Sequence, residues 1–234
     1  MNTEIYSTDT RGLSLRNYAI ISGIGLLLMA IVAPIANFAI LHTLFVPDSA
    51  GLTFSNLTAS ENLFRIGIGC FLIVAILDII VAWALYYFLK PVNSSLSLLA
   101  ACFRIVYAAI LIVVLNNLLE VLQLIHTPNY LSSFSTDQIE TQVLMLIQTF
   151  TRGWEFGLII FSIHLLILGY LFFKEGFMRK VLGVLLILSG LGYLTDGAGK
   201  LLSSGYSISI SMFTFIGEIL LIFWLLIQGW KIKK

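Results

Sequence analysis

Charge is what this sequence has least of. Only 11% of its 234 residues are Asp, Glu, Lys or Arg, against about 25% in an ordinary soluble domain. Hydrophobic residues make up 59% and the mean hydropathy is +1.00, which excludes a water-soluble globular protein. Thirteen Lys and Arg stand against twelve Asp and Glu, so a net charge of +1 offers no bulk attraction for nucleic acid.

Cysteine is also scarce, with two in the chain. Cys70 and Cys102 lie near opposite ends of successive apolar runs, more than about 20 Å apart at ~1.5 Å per helical residue. No disulfide can join them at that separation. The motifs of several reaction classes are missing as well. There is no HExxH, no cluster of Cys and His, no phosphate-gripping glycine loop and no GxSxG elbow. His42, His126 and His164 fall on separate helices at different depths, which argues against a histidine metal site. No cofactor is predicted.

Long apolar runs are what the sequence does have. A helix needs about 20 apolar residues to cross a hydrocarbon core of roughly 30 Å. Six segments meet this: Ala19–Phe45, Phe64–Leu89, Ser97–Ile125, Gln142–Phe173, Val181–Leu202 and Ile208–Trp230. The expected fold is an all-α polytopic membrane helix bundle with six transmembrane helices, one domain over residues 1–234. The first run is too long for a secretion-signal core, so it reads as a retained helix. The fifth reaches full length only if the helix continues through Thr195-Asp196-Gly197 to Leu202, with Asp196 and Lys200 paired four residues apart.

Cations between the runs orient the chain. Arg11, Arg16, Lys90, Lys174, Arg179, Lys180, Lys231, Lys233 and Lys234 fall on one side and Lys200 alone on the other. Both termini are therefore expected to be cytoplasmic, in a bacterial cytoplasmic membrane. Thr58-Ala59-Ser60-Glu61 and Ser135-Thr136-Asp137-Gln138 both fit a capping box at outer helix starts. Pro34 should kink the first helix and Pro91 sits in a short inner loop. Ser207, Ser209 and Ser211 stand at the entrance of the sixth helix, where they should supply caps.

Counting from the inner ends at about 1.5 Å per residue sorts the remaining polar side chains into two depths. Asn116, Asn117, Glu120, Arg152 and Glu155 lie roughly 28–34 Å out, with Asp196 slightly deeper. Asn116, Glu120 and Gln123 share a helix face, and Arg152 neighbours Glu155 at i, i+3. An interfacial salt-bridge girdle explains this layer; an outward-opening ligand pocket is the functional alternative. Near mid-membrane, roughly 15–19 Å from the inner ends, lie Asp78, His164 and Glu218, with Tyr107 and Tyr193 close by. Arg104 sits lower but can reach up, as the counter-ion of Asp78 or Glu218. A lone charge at this depth costs about 2.5–3.5 kcal/mol, so these groups should converge inside the bundle. They either lock helix packing or form a proton relay or polar ligand site.

Two stretches resemble a known family. They are Leu89-Lys90-Pro91-Val92-Asn93, followed by Leu96, Leu99, Ala100 and Arg104, and Gly157 to Gly197 with His164, Gly169-Tyr170-Leu171, Leu182-Gly183-Val184-Leu185 and Gly192-Tyr193-Leu194. Both are similar to the bacterial integral-membrane family of domain of unknown function 4386. One departure is Met178 before Arg179, where that family usually carries proline. The resemblance implies a multi-helix membrane protein and no particular reaction.

Three functions follow as expectations. The first is a non-enzymatic protein that binds or moves a small polar or amphiphilic molecule, coupled to protons. The second is an intramembrane hydrolase or lipid-modifying enzyme using Glu120 or Glu155 as acid/base, with Arg152 steadying an anionic headgroup. The third is a structural or regulatory subunit whose outer hairpin, Leu118–Phe150, docks a protein partner through Tyr130, Leu131 and Phe134. Expected partners are membrane lipids, a small-molecule ligand and a protein at the outer hairpin, with no nucleic acid.

Overall fold

A computed structural model describes residues 13–126, 133–173, 177–203 and 205–231. Seven helical elements account for the architecture: α1 (Leu15–Leu44), α2 (Ala50–Ala59), α3 (Glu61–Leu89), α4 (Ser94–His126), α5 (Thr136–Phe173), α6 (Phe177–Leu202) and α7 (Ser211–Lys231). All but α2 are long and apolar enough to cross a membrane. Among the described residues there is no strand. The protein is a six-span membrane helix bundle.

Four of the helices begin where the local sequence supplies an acceptor for free N–H groups. Ser14 caps α1 through Asn17 N, and Ser49 caps α2 through Leu52 N. Asn93 Oδ1 accepts Leu96 N at 2.9 Å at the head of α4. At α5 the capping box forms reciprocally: Ser135 N donates to Gln138 Oε1 at 2.9 Å and Gln138 N to Ser135 Oγ at 3.3 Å. The other expected box does not form. Thr58 lies in the last turn of α2, where its hydroxyl donates to Phe54 O, and α3 starts only at Glu61. The run of polar residues there had concealed a short additional helix.

Pro34 perturbs α1 as expected, but by widening it. Proline has no N–H, so one rung of the ladder is lost, and Ile35–Leu41 follows as a π-helical stretch before Leu44. The fifth span does run to Leu202. The sixth begins at Ser211, with a one-residue interruption at Phe215, where the Ser189 hydroxyl of α6 reaches the Thr214 carbonyl.

The spans form a closed ring in sequence order, α1–α3–α4–α5–α6–α7 and back to α1, with α2 laid on α5. Arg16 Nε donates to Gly229 O at 3.1 Å across 213 residues, so both ends of the helical region meet on one face. We call the opposite face distal. Close approach of α5 and α6 rests on Gly169 and Gly183: a Cβ on either would lie 2.6–2.7 Å from the other's carbonyl oxygen. The distal half of the core is aromatic, with Phe71 packed 5.1 Å from Phe150 and 5.4 Å from Trp154, ring centre to ring centre. Large apolar side chains such as Phe38, Ile66 and Val113 point outward, as lipid-facing positions require.

α4 and α5 contain 33 and 38 residues, about 50 and 57 Å at 1.5 Å per residue. Both exceed the hydrocarbon thickness, as their sequences predict. At the distal rim Glu61 Oε1 receives Arg65 Nε and His126 Nε2, each at 2.6 Å, which ties the start of α3 to the end of α4. Phe134 is exposed near the tip of the hairpin. Tyr130, Leu131, Arg11, Lys174, Lys233 and Lys234 lie outside the described residues.

Candidate functional site

Every mid-membrane residue singled out in the sequence is found in the ring's interior or against it. Asp78, Arg104 and His164 are 2%, 3% and 1% exposed, so packing seals them. Arg104 Nη2 stands 2.6 Å from Asp78 Oδ1, and Arg104 Nη1 stands 3.3 Å from His164 Nε2. His164 Nδ1 is 2.9 Å from the Ala100 carbonyl, one turn before Arg104 on α4. A guanidinium only donates and a carbonyl only accepts. The His164 ring is therefore neutral, with its proton on Nδ1 and its Nε2 lone pair toward Arg104. The guanidinium also lies over the Phe161 ring, 5.3 Å from its centre, a favourable cation–π placement.

One turn distal, Tyr107 is buried and its hydroxyl accepts Trp154 Nε1–H at 2.9 Å. Phe161 touches Tyr107, His164 and Tyr193, with ring centres 4.9, 5.5 and 6.0 Å away. Phe161 and Trp154 were not singled out in the sequence. Aromatic residues are common in apolar runs, and nothing in their spacing marks these two as the joint between the polar groups.

Glu218 is placed differently. It lies in the first full turn of α7 after the interruption, with the Tyr193 hydroxyl beside its carboxyl group and Arg104 and Asp78 within electrostatic reach. Its Oε1 atom is buried and has no hydrogen-bond partner. Arg104 chooses Asp78 rather than Glu218 as its ion-pair partner. Arg104 Nε and Ser22 Oγ are likewise buried without partners.

The outer layer does not form one ring. Asn116 Nδ2 donates to Glu120 Oε1 at 2.8 Å on an exposed face of α4, and Asn117 turns back to the Val114 carbonyl. Arg152 is exposed and makes no ion pair among the described residues. Its expected neighbour Glu155 instead receives Lys200 Nζ at 2.6 Å, bridging α5 and α6. Lys200 is therefore not paired with Asp196, contrary to the i, i+4 expectation. An interhelical carboxylate lies closer than the one on its own helix.

Asp196 has another task. It is 7% exposed, and its carboxylate accepts Ile210 N at 2.9 Å, Ser211 N at 2.8 Å and the Tyr206 hydroxyl at 2.8 Å. The cap of α7 thus comes from α6, and the serines at 207, 209 and 211 do not provide it through their own side chains. An acid at a helix start satisfies free N–H groups and suits the positive end of the helix dipole. Burial, then the bond to Asp196, raises the Tyr206 hydroxyl above the usual tyrosine range.

Between α5, α6 and the segment entering α7 lies a recess of about 50 Å³, lined by Glu155, Tyr193, Asp196, Lys200 and Ser209 among others. Tyr193 belongs to both places: it lines the recess and abuts Glu218. Among the described residues no group of three or more His, Cys, Asp or Glu side chains is arranged to hold a metal ion.

Comparison with known proteins gives this chain a family. An uncharacterised protein of Archaeoglobus fulgidus is 38% identical over 167 residues, covering 71% of this chain and 85% of its own length. No solved structure matches. Residues 21–229 match the family described as Domain of unknown function (DUF4386), a match that starts within the first span, ends within the sixth and extends well beyond the two stretches that carry the resemblance. The chain belongs to that family.

Proposed function

We propose that this is a multi-pass protein of the cell membrane, with cytoplasmic termini, that binds or moves a small polar or amphiphilic molecule in the distal half of its helix ring and couples this to protons. The observation that carries the reading is Glu218: a carboxyl oxygen buried without a partner, against a tyrosine that opens onto a polar recess. Packing alone accounts poorly for such a group. A side-chain hydrogen bond between membrane helices contributes about 0.6 kcal/mol on average, whereas an acid at depth costs about 2.5–3.5 kcal/mol. In the Asp78–Arg104–His164 network, by contrast, Asp78 Oδ1, both Arg104 Nη atoms and both His164 ring nitrogens are engaged, and the network serves as a rigid, charged wall.

Thermal unfolding of the detergent-purified protein against a panel of amines, zwitterions and short-chain amphiphiles tests the reading. A ligand at 100 times its Kd stabilises by about 2.7 kcal/mol. The expected result is at least one compound whose stabilisation depends on pH and disappears in Asp78→Asn/Glu218→Gln. A panel without any shift, or a shift unchanged in the double variant, removes the reading.

A further inference from the structure

We propose that Glu218 is the proton-exchanging group of the protein and that its proton arrives from the distal face, through the recess and the Tyr193 hydroxyl. The inference rests on the function proposed above and specifies which acid moves the proton and from which side.

The other buried candidates are committed elsewhere. Asp78 holds Arg104 at 2.6 Å, and both His164 ring nitrogens are engaged, one by Arg104 and one by Ala100 O. Tyr107 already accepts from Trp154. Among the described residues only Glu218 combines a buried, unpartnered carboxyl oxygen with a neighbour that lines the recess.

The groups around it are few. From α6 it faces Tyr193, with Asp196 one turn distal; from α4, Arg104 and Tyr107; from α3, Asp78. α1, the other helix packed on α7, carries its titratable side chains toward its ends: Arg16 and Tyr18 at the first turns and His42 at the last. The transfer needs no other reactant. Tyr193 passes its hydroxyl proton to the carboxylate and takes one from a hydronium ion in the recess, which becomes water, leaving the phenol unchanged and the carboxylate neutral. The Glu155–Lys200 bridge lines the mouth of this route, and its partial exposure leaves it able to open.

Infrared spectroscopy of the protein in liposomes, titrated in H₂O and D₂O, tests the route without any cargo. Acidification should raise a protonated carboxylic-acid carbonyl band that shifts in D₂O. The band should be absent in Glu218→Gln and unchanged in Glu120→Gln, and its deuterium exchange should slow by about tenfold or more in Tyr193→Phe. Should Glu218→Gln fail to fold, ¹³C-glutamate labelling of the wild-type protein must shift the band, since a band from Asp78 would not move. A band that survives Glu218→Gln, ignores the glutamate label, or exchanges at the wild-type rate in Tyr193→Phe overturns the assignment. A failed ligand panel alongside a glutamate band would remove the proposed cargo and leave the proton site standing.

Discussion

Arg104 Nη1 meets His164 Nε2 at 3.3 Å while His164 Nδ1 meets the Ala100 carbonyl at 2.9 Å, so one neutral tautomer of a buried histidine is fixed from both sides. Nitrogen NMR of ¹⁵N-histidine-labelled protein should show His164 protonated at Nδ1 only. Arg104→Gln should loosen the ring and mix the tautomers. A dominant Nε2–H signal in the wild type would contradict the arrangement.

The Asp78–Arg104 pair is 3% exposed on both sides, so solvent screens it little. Arg104→Ala or Asp78→Ala leaves its partner charged and buried, and each should destabilise by about 3–5 kcal/mol in chemical unfolding from micelles. The double replacement Asp78→Leu/Arg104→Met should lie much closer to wild type, because it removes the desolvation cost along with the attraction. Arg104→Lys should rescue poorly, since an ammonium cannot serve Asp78, His164 and the Phe161 face together.

Gly169 and Gly183 test the α5–α6 seam. Either residue changed to Val puts side-chain atoms into the opposing backbone, and should separate the helices or abolish folding, visible as loss of a monodisperse peak in size-exclusion chromatography. Gly69 is the control. A Cβ there meets nothing within 4 Å, and Gly69→Ala should raise stability by up to about 1 kcal/mol through helix propensity.

Asp196 and Lys200 separate the two accounts of the fifth span. Asp196→Ala removes the cap of α7 and should cost about 1–2 kcal/mol. Lys200→Ala loses only a half-exposed bridge and should cost at most about 1 kcal/mol. Equal losses, together with non-additivity between these two sites, would restore the Asp196–Lys200 pairing suggested by their spacing.

Tyr206 predicts an alkaline limit. Its hydroxyl is held protonated in the fold above the unfolded value of about 10. The folded state then binds more protons than the unfolded one in that range. The bond to Asp196 therefore contributes fully below pH ~10 and is lost as pH rises through the folded value. Tyr206→Phe should flatten the alkaline limb of a Tm-against-pH profile and leave the neutral region similar in shape.

The sequence by itself determined the six spans, the membrane setting, the over-long helices α4 and α5, the Ser135–Gln138 cap and the common level along the helices that brings Asp78, Arg104, His164 and Glu218 near one another. These follow from hydropathy, helical rise and i, i+3 spacing, which act within a single helix. Partner choice was decided by the tertiary structure alone. Arg104 takes Asp78 and not Glu218, Lys200 crosses to Glu155, and Asp196 caps a helix that begins fifteen residues later. The physical reason is that ring closure sets which faces meet, and a charge pairs with the nearest oxygen in space. The low charge content leaves few such choices. Where they fall, Glu218 is the acid, among the described residues, with a buried oxygen that no hydrogen bond answers.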